Sequence, residues 1–365
     1  MEAVMPTCDV AIIGGGVVGV AIAHALAASG AQVVLLERGE LGRGCSYGNA
    51  GLVTPGHSLP LATPRALRQG LRWLLSGRGP FSVRLRADPG LARWLLRYVG
   101  ACRAAVMRET IPALHNLAAA SLARYEALAG DLPRFHFQRR GWLYVYKDPE
   151  EFAAAVAEAT ELKVAEARWE AADAAGARKL CPLLSGQIVG GIYYPDEAHV
   201  QPYAAVSSLA ARARELGADL REGTTAEGLR IAGGRVTAVR AGGEQVNTGW
   251  CVMAAGAETP GLLRRLAWSA GRGSRVLRRL GSRLPIQPAK GHSLTWPRPG
   301  NAPELPLMFG EPHVIATPMG PYLRMTTGLD LVGLRPDPDP RRLGAIRTAG
   351  AEYLPGLSLQ DEAEA

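Results

Sequence analysis

Cysteine is scarce in this sequence of 365 residues, and its positions show no regular spacing. No Cys-x-x-Cys pair occurs among the five cysteines, which are Cys8, Cys45, Cys102, Cys181 and Cys251. This scatter argues against a disulfide framework and against a zinc site. We therefore expect reduced thiols and no structural metal, as in a cytoplasmic protein.

Long apolar runs are also missing. No stretch approaches the run of about 18 apolar residues that a membrane-spanning helix requires. Only residues 1–7 precede the first predicted strand, which is too short a segment for a secretory signal peptide. The sequence therefore predicts a cytoplasmic protein without a membrane-spanning helix.

The charge is unbalanced, with a formal net charge of +8 in which arginine supplies almost all of the basic excess. Ten arginines lie between Arg65 and Arg108, interleaved with tryptophan, leucine and phenylalanine. Two interpretations stay open: a solvated arginine face on helices with an apolar core side, or a basic amphipathic surface that contacts the inner face of a membrane. No nucleic-acid motif accompanies the charge, so we expect no nucleic-acid partner.

A complete strand, turn, helix and strand occupies residues 9–38. Residues 10–13 form an unbroken apolar run, which is typical of a parallel strand covered on both faces. The run leads into Gly14-x-Gly16-x-x-Gly19. In such a turn the first glycine permits a tight turn, the second lets a pyrophosphate approach the backbone, and the third packs the helix on the strand. The pattern predicts a dinucleotide whose phosphates lie at the helix N-terminus.

Glu37 ends the second predicted strand, roughly twenty residues beyond the glycines, where a carboxylate accepts the ribose hydroxyls of an adenosine. An acid at this position disfavours a 2′-phosphate, and hence NADP. The unit by itself leaves NAD and FAD open.

A late return to the sheet distinguishes the two cofactors. Residues 250–253 predict a strand that ends at Ala255-Gly256, at the carboxyl edge where a nucleotide lies. NAD domains normally complete their sheet contiguously, whereas flavoproteins of the glutathione-reductase type first insert a substrate lobe. We therefore predict an α/β fold: an FAD-binding Rossmann-like domain of the glutathione-reductase type (residues 5–60 and 196–260) with an inserted α+β substrate domain (residues 61–195 and 261–356).

Further periodic segments complete the expected elements. The sequence predicts strands at residues 135–138 and 142–146, a helix at 172–180, a solvated helix and loop insertion at 262–283, a glycine-kinked strand at 285–294, a hairpin of 313–317 with 322–326, and a last helix at 339–353.

Together these motifs resemble the D-amino-acid dehydrogenase branch of the FAD-dependent amine oxidoreductases, which are similar to D-amino acid oxidase and also include sarcosine and glycine oxidases. The resemblance rests on the glycine-rich turn, the Ser46-x-x-Asn49-Ala50-Gly51 loop, the strand end at Ala255-Gly256, and Pro288-x-Lys290-Gly291-His292-Ser293. It implies FAD as the cofactor. The predicted FAD-binding residues are Ile13, Gly14, Gly15, Gly16, Val17, Val18, Gly19, Glu37, Arg38, Cys45, Ser46, Asn49, Ala50, Gly51, Leu52, Ala255 and Gly256.

The resemblance also implies an activity. We expect oxidative deamination of a D-amino acid, or of a secondary amine like D-proline or hydroxyproline, by hydride transfer to the flavin, with electrons passed to a quinone, an electron-transfer protein or another non-oxygen acceptor. Two alternatives stay open. One is a sarcosine- or glycine-type amine oxidase that uses oxygen. The other is a truncated, non-catalytic flavoprotein remnant, because family members continue beyond the last predicted helix; Gly333-Leu-Arg335-Pro336 looks like the missing motif, but we interpret it as a coincidence.

The predicted catalytic residues are His57, Tyr322 and Arg324. A substrate carboxylate needs a cation, ideally a bidentate guanidinium, and Arg324 on the strand of residues 322–326 is our hypothesis, with Tyr322 second. The alternative is an ordinary surface arginine. His57, like His292, is either a pocket residue at the flavin or a structural histidine. The absence of an acid/base dyad does not argue against an enzyme, because the flavin carries the chemistry.

Overall fold

The computed structural model describes residues 7–76, 81–84, 87–162, 168–269, 274–334, 337–359 and 363–365. The strands in these ranges are β1 Cys8–Ile13, β2 Val33–Leu36, β3 Leu52–Val53, β4 Phe81–Val83, β5 Trp142–Tyr146, β6 Glu170–Asp173, β7 Gly190–Tyr194, β8 Ala198–His199, β9 Asp219–Arg221, β10 Ala226–Ala232, β11 Arg235–Ala241, β12 Glu244–Met253, β13 Lys290–Pro297, β14 Leu307–Phe309, β15 Val314–Met319 and β16 Tyr322–Leu331.

The helices are α1 Val17–Ala28, α2 Pro64–Ser76, α3 Pro89–Ala101, α4 Ala104–Asp131, α5 Pro149–Leu162, α6 Ala174–Leu180, α7 Pro202–Glu215, α8 Thr259–Ser269, α9 Ser274–Arg283 and α10 Pro340–Tyr353. Short 3₁₀ turns lie at Pro55–His57, Pro133–Phe135 and Gly256–Glu258. None of the helices in the described ranges is long and apolar enough to cross a membrane.

The chain divides into two compact units, one made of residues 1–48 and 202–288, the other of residues 49–201 and 289–365. These boundaries differ from the expected ones, chiefly because residues 261–288 belong to the first unit. Leu262 and Leu266 of α8 are buried in the same apolar cluster as Ala11 and Ile13 of β1. The apolar side of α8 therefore covers the sheet of the first unit, and the burial of these leucines places the helix in that unit.

The first unit is built on a six-stranded sheet with the strand order β10-β11-β12-β1-β2-β9. β1 lies between β12 and β2 and runs parallel to both. Val10–Ile13 are all buried, as expected for a parallel strand covered on both faces. Val20 and Ala23 are buried on α1, which completes the predicted strand, turn, helix and strand.

The second unit is built on an eight-stranded sheet with the order β13-β16-β15-β14-β5-β7-β6, to which β4 adds by pairing with β16. Its two faces differ in chemistry because side chains alternate along each strand. One face carries Leu143, Val145 and Met325, which pack with Ile346 and Tyr353 of α10 in the main apolar core. The opposite face carries the aromatic side chains of β5 and Tyr194 of β7, and also the residue before Met325, which is an arginine.

Several sequence predictions need correction. Residues 135–138 do not form a strand: Phe135 ends a 3₁₀ turn, and Gln138 makes one isolated bridge to His199. Residues 170–173 form the edge strand β6, so the helix begins only at Ala174, where the Asp173 side chain accepts a hydrogen bond from the Gly176 N–H as its N-cap.

The segment 262–283 is not simply solvated. It forms α8 and α9, whose arginines 264, 265, 275, 278, 279 and 283 are exposed while Leu263 and Leu277 are buried. The predicted glycine kink near residue 291 is confirmed by a register shift between Lys290 and His292, and the predicted β15–β16 hairpin and final helix are also present. Residues 270–273 of the predicted segment 262–283, and Arg335-Pro336 of the Gly-Leu-Arg-Pro segment, lie outside the described residues.

Candidate active site

The glycine-rich turn of the first unit is shaped by close backbone contacts. Gly14 has a φ of +113°, and a Cβ at this position would lie 2.5 Å from the carbonyl oxygen of Ala254. A Cβ on Gly19 would collide with the carbonyl oxygen of Gly14. Because Ile13 pairs with both Leu36 and Met253, the turn lies at the carboxyl edge of the sheet. The first and third glycines therefore have the packing roles that the sequence predicts.

The N-terminus of α1 is open for an anion. Gly16 is its N-cap residue and provides no side-chain hydrogen bond, and the first turn contains no acidic residue. The Val17 N–H donates to the Ser46 hydroxyl at 2.9 Å, and Val18 is exposed. A Cβ on Gly16 would have the Ser46 hydroxyl as its nearest neighbour, at 3.2 Å. The other N–H groups of the first turn, the helix dipole and the missing side chain fit a pyrophosphate at this point.

Glu37 connects the end of β2 to the glycine turn. Its carboxylate accepts hydrogen bonds from the Gly15 N–H at 2.6 Å and from the Gly39 N–H at 2.9 Å. A carboxylate has about four acceptor sites, so about two remain for the hydroxyls of a ribose. The neighbouring Arg38 instead forms a bidentate ion pair with Glu258, at 2.5 and 2.7 Å. This structure therefore gives Arg38 a partner within the protein.

The remaining predicted residues of the first unit include Ala255, Gly256 and Cys45. Ala255 follows β12, and Gly256 has a φ of +52°. A Cβ on Gly256 would meet no atom within 4 Å, so its backbone conformation alone favours glycine. Cys45 is exposed and is not in a disulfide. Taken together, the glycine cradle, the open helix N-terminus and Glu37 fit the ADP half of FAD.

In the second unit, the loop of residues 49–52 is held by the Asn49 side chain, by strand β8 and by the residue that follows β8. The Asn49 side chain accepts from the Gly51 N–H at 2.8 Å, and Gly51 has a φ of +65°. The Gly51 carbonyl accepts from the Val200 N–H at 2.8 Å, and Leu52 pairs with His199. Ala50 is half-buried between these contacts. The loop is therefore rigidly placed, which suits a backbone that positions a flat ligand.

Arg324 is not a surface arginine. Its side chain is buried, with 3% of the residue exposed. The Nε–H donates to the Thr295 hydroxyl at 2.9 Å, and Nη1 donates to the carbonyl oxygen of Asn49 at 3.2 Å. Both of these acceptors are neutral oxygens, and the two bonds orient the guanidinium. The alternative of a solvated strand arginine is thereby wrong.

The two positions beside Arg324 differ in exposure. Tyr322 precedes it by two residues on the same face of β16 and is 43% exposed. Thr317 pairs with Arg324 across β15 and is fully buried, and its hydroxyl has no hydrogen-bond partner among the described residues. Burying a hydroxyl without a hydrogen-bond partner costs free energy of folding. The Thr317 hydroxyl is therefore available for a hydrogen bond next to the guanidinium.

His57 lies against an aromatic cluster. Its ring is 5.4 Å from that of Trp142 and 5.5 Å from that of Tyr144, and the Tyr144 hydroxyl lies 3.2 and 3.3 Å from its two ring nitrogens. Burial lowers the pKa of His57 to about 4. The imidazole is therefore neutral near pH 7, and it can exchange hydrogen bonds but does not provide a positive charge.

His292 and Lys290 lie away from this face. Side chains alternate along β13, so Ser293 and Thr295 share the face of Arg324. The His292 side chain therefore points to the opposite face. It is buried 3.7 Å from the carboxylate of Asp330, which also accepts hydrogen bonds from Ser82 and Arg342. The Lys290 ammonium donates to the Asp337 carbonyl. Both residues belong to the structural framework of the sheet.

Two features of the second unit were missed by the sequence reasoning. The first is the row of Trp142, Tyr144 and Tyr146, whose alternation was interpreted only as a strand although aromatic residues at every second position place three rings on one face. The second is Glu197, which is 1% exposed. It accepts from the Gly56 N–H at 2.6 Å through Oε1, and its Oε2 has no hydrogen-bond partner among the described residues. No sequence signal reveals this burial.

Comparison with known proteins agrees with this geometry. The family model described as "FAD dependent oxidoreductase" matches residues 9–365. A D-amino acid dehydrogenase of Dechloromonas aromatica is 30% identical, over 97% of this chain and 84% of the relative. D-amino acid dehydrogenase 2 of Ralstonia nicotianae is 34% identical, over 98% of this chain and 84% of the relative.

Solved structures show the same fold. Glycine oxidase from Bacillus cereus has a TM-score of 0.71 at 20% identity and covers 98% of this chain, which spans 81% of that one. L-proline dehydrogenase from P. horikoshii has a TM-score of 0.63 at 18% identity and covers 95% of this chain, which spans 77% of that one. At such identities the likeness concerns the fold alone. With the family match over nearly its whole length, the chain belongs to the FAD-dependent oxidoreductases, and its cofactor is FAD.

Proposed function

We propose that this enzyme oxidatively deaminates a D-amino acid, or a D-proline-like secondary amine, and passes the electrons to a quinone or another non-oxygen acceptor. The observation that best supports the proposal is the identity of 30–34% to D-amino acid dehydrogenases over 84% of their length. The buried guanidinium of Arg324, oriented by Thr295 and Asn49, adds the cation that an amino-acid carboxylate requires.

Bound FAD supplies the acceptor for the hydride that leaves the substrate α-carbon. The protein's own task is to orient the substrate. Arg324 holds the carboxylate, and the Asn49 carbonyl and Thr295 hydroxyl keep the guanidinium plane fixed. Neutral His57 and the Tyr144 hydroxyl offer hydrogen bonds on the same face of the sheet without adding a second cation there. After oxidation, water hydrolyses the imine to a keto acid and ammonia.

A direct test uses the FAD-loaded protein under anaerobic conditions. D-amino acids should bleach its visible flavin absorbance, and their L-enantiomers should not. Reoxidation should then be fast with a soluble quinone and slow with oxygen. Bleaching by glycine or sarcosine with rapid reoxidation by oxygen would instead support the amine-oxidase alternative. A protein that binds FAD but is bleached by no amino acid would refute the proposal.

We further propose a peripheral membrane contact at the exposed side of α3, which would bring the enzyme to a lipid-soluble acceptor. Leu96 and Val99 are three residues apart on this helix, and both are exposed. Leu61 is also exposed, and it lies beside this helix, since its carbonyl oxygen accepts a hydrogen bond from the Tyr98 hydroxyl at 2.9 Å. Arg93 and Arg97 are exposed on the same helix. Apolar side chains flanked by arginine suit an anionic lipid surface.

Flotation with vesicles rich in phosphatidylglycerol tests this contact. The protein should float at low salt, and Leu96→Asp should abolish flotation. Leu117→Asp is the matched control, because Leu117 is similarly exposed but lies on α4. Equal flotation of both variants, or none of the wild type, would contradict the proposed contact.

A further inference from the structure

The second unit contains a cavity of about 430 Å³. Its floor consists of side chains from β5, β7 and β14, including Tyr144, Tyr194 and Met308, and the helices α2 and α5 supply its other side. The proposed function uses only His57 and Tyr144 of this lining and leaves the rest of the cavity without a role. Its volume lies within the range that holds small organic ligands.

The cavity and Arg324 lie on the same face of the same sheet. Arg324 pairs with Thr317 of β15, and Ile315, two residues earlier on β15, pairs with Met308 of β14. Met308 in turn pairs with Tyr144 of β5. Since alternate residues share a face, Arg324, Met308 and Tyr144 all project to one side, and Met308 is about 12 Å from Arg324 by the spacing of strands and residues. An amino acid whose carboxylate lies at Arg324 can therefore extend a long side chain to the cavity.

The charges around the cavity favour a cation. Its described lining includes the carboxylates of Glu151, Glu158 and Glu311, against the single guanidinium of Arg65, which is paired with Glu158 at 2.5 Å. Burial lowers the pKa of His57 and His313, the two histidines of this lining, so both are neutral near pH 7. The described lining thus carries a net charge of two negative units.

The aromatic wall has the same preference. Tyr144, Tyr146 and Tyr194 line the cavity together with Trp169. Burial raises the pKa of the three tyrosines, which keeps their hydroxyls protonated. Aromatic ring faces attract cations, and a cation enclosed by rings and carboxylates gains from both.

We propose that this cavity receives the cationic end of the substrate side chain, so that the preferred substrates are D-amino acids of the arginine and lysine type. The carboxylate lies at Arg324, and the guanidinium or ammonium lies between the tyrosine wall and the carboxylates of α5. This assignment rests on the proposed D-amino acid oxidation and specifies its substrate class.

Steady-state kinetics with D-arginine and its neutral isostere D-citrulline tests the assignment. The wild-type kcat/KM should favour D-arginine by about tenfold or more, the range that cation–π and carboxylate contacts support. Glu158→Gln should lower kcat/KM for D-arginine about tenfold and leave that for D-citrulline within a factor of about two. Glu150→Gln is the matched control, because Glu150 is an exposed residue of the same helix. Equal values for the two substrates, or equal losses with both in Glu158→Gln, would overturn the assignment.

Calorimetric titration separates this assignment from the proposed function. The FAD-loaded protein should bind butylguanidine more tightly than the neutral butylurea, and Glu158→Gln should remove the difference. Equal affinities in the wild type would reject the cation site even if D-alanine is oxidised. Failure of every amino acid, D-alanine included, to reduce the flavin would instead reject the proposed function, whatever butylguanidine does.

Discussion

The guanidinium of Arg324 donates a hydrogen bond to the backbone carbonyl of Asn49 at 3.2 Å, although the two residues are 275 positions apart. One side chain thus connects the β16 strand to the loop that the sequence assigns to the cofactor. We therefore expect a substitution of Arg324 to affect both substrate binding and the position of the loop, and experiments need to separate the two effects.

For substrate binding we predict that Arg324→Leu raises KM for a D-amino acid by about 10- to 100-fold, because a charge-assisted hydrogen bond contributes roughly 1.5–3 kcal/mol. Arg324→Lys should retain part of the affinity, since the charge remains while the bidentate geometry is lost. The measurement is KM for the D-amino acid, with the FAD content of each variant determined separately. A lower FAD content with an unchanged KM would show that Arg324 serves the loop and not the substrate.

For the cofactor, Glu37→Gln should weaken FAD binding by about tenfold, because the neutral amide replaces a carboxylate that accepts charge-assisted hydrogen bonds. Glu37 accepts from Gly15 and Gly39 at the glycine turn. Fluorescence titration of the deflavinated protein with FAD measures the dissociation constant. Glu40→Gln is the control, because Glu40 is exposed and pairs with Arg43 nearby. Equal affinities of the two variants would argue against Glu37 as a cofactor residue.

The packing of α1 on the turn gives a second cofactor prediction. Gly19→Ala should displace the helix N-terminus, because the added Cβ meets the Gly14 carbonyl oxygen, and FAD binding should fall by about tenfold or more. Gly44→Ala provides the control, since no atom lies within 4 Å of a Cβ there and φ is not positive. The FAD content of the purified proteins and their thermal midpoints report the effect. Wild-type FAD content in Gly19→Ala would be incompatible with this close approach.

Glu197 predicts a pH dependence of stability. Burial raises its pKa from 4.5 to about 8, so the folded state holds this proton more tightly than the unfolded state. The stabilisation is complete below about pH 4.5 and is lost as pH rises towards 8, by up to about 5 kcal/mol. Glu197→Gln should flatten this part of the profile and should be more stable than the wild type near pH 9.

The check is chemical unfolding of the wild type and of Glu197→Gln at several pH values between about 4.5 and 9. Glu150→Gln is again a suitable control, because its side chain is exposed. Parallel profiles for the wild type and Glu197→Gln would mean that another group titrates. His57 does not produce the same trend, because a buried histidine with a lowered pKa makes stability increase with pH, between about 4 and 6.5.

The sequence alone determined the local elements of the first unit. Each part of the turn at Gly14 to Gly19, the helix α1 and the acid at Glu37 is specified by neighbours within about thirty positions, through glycine geometry, hydrophobic periodicity and strand length. The same holds for β15, β16 and α10, whose turn residues and N-cap are adjacent in the chain. These predictions were correct because the interactions that decide them are local.

Only the tertiary structure decided where the isolated polar residues lie. Burial of Arg324 and Glu197, the common face of Arg324 and Tyr144, and the membership of α8 in the first unit all depend on strand register and packing between distant segments. Residues 135–138 show the same limit, since an alternating pattern became a 3₁₀ turn and a single bridge when no neighbouring strand among the described residues paired with it further. Long-range pairing, which a periodic pattern does not encode, therefore determined which side chains can meet a substrate.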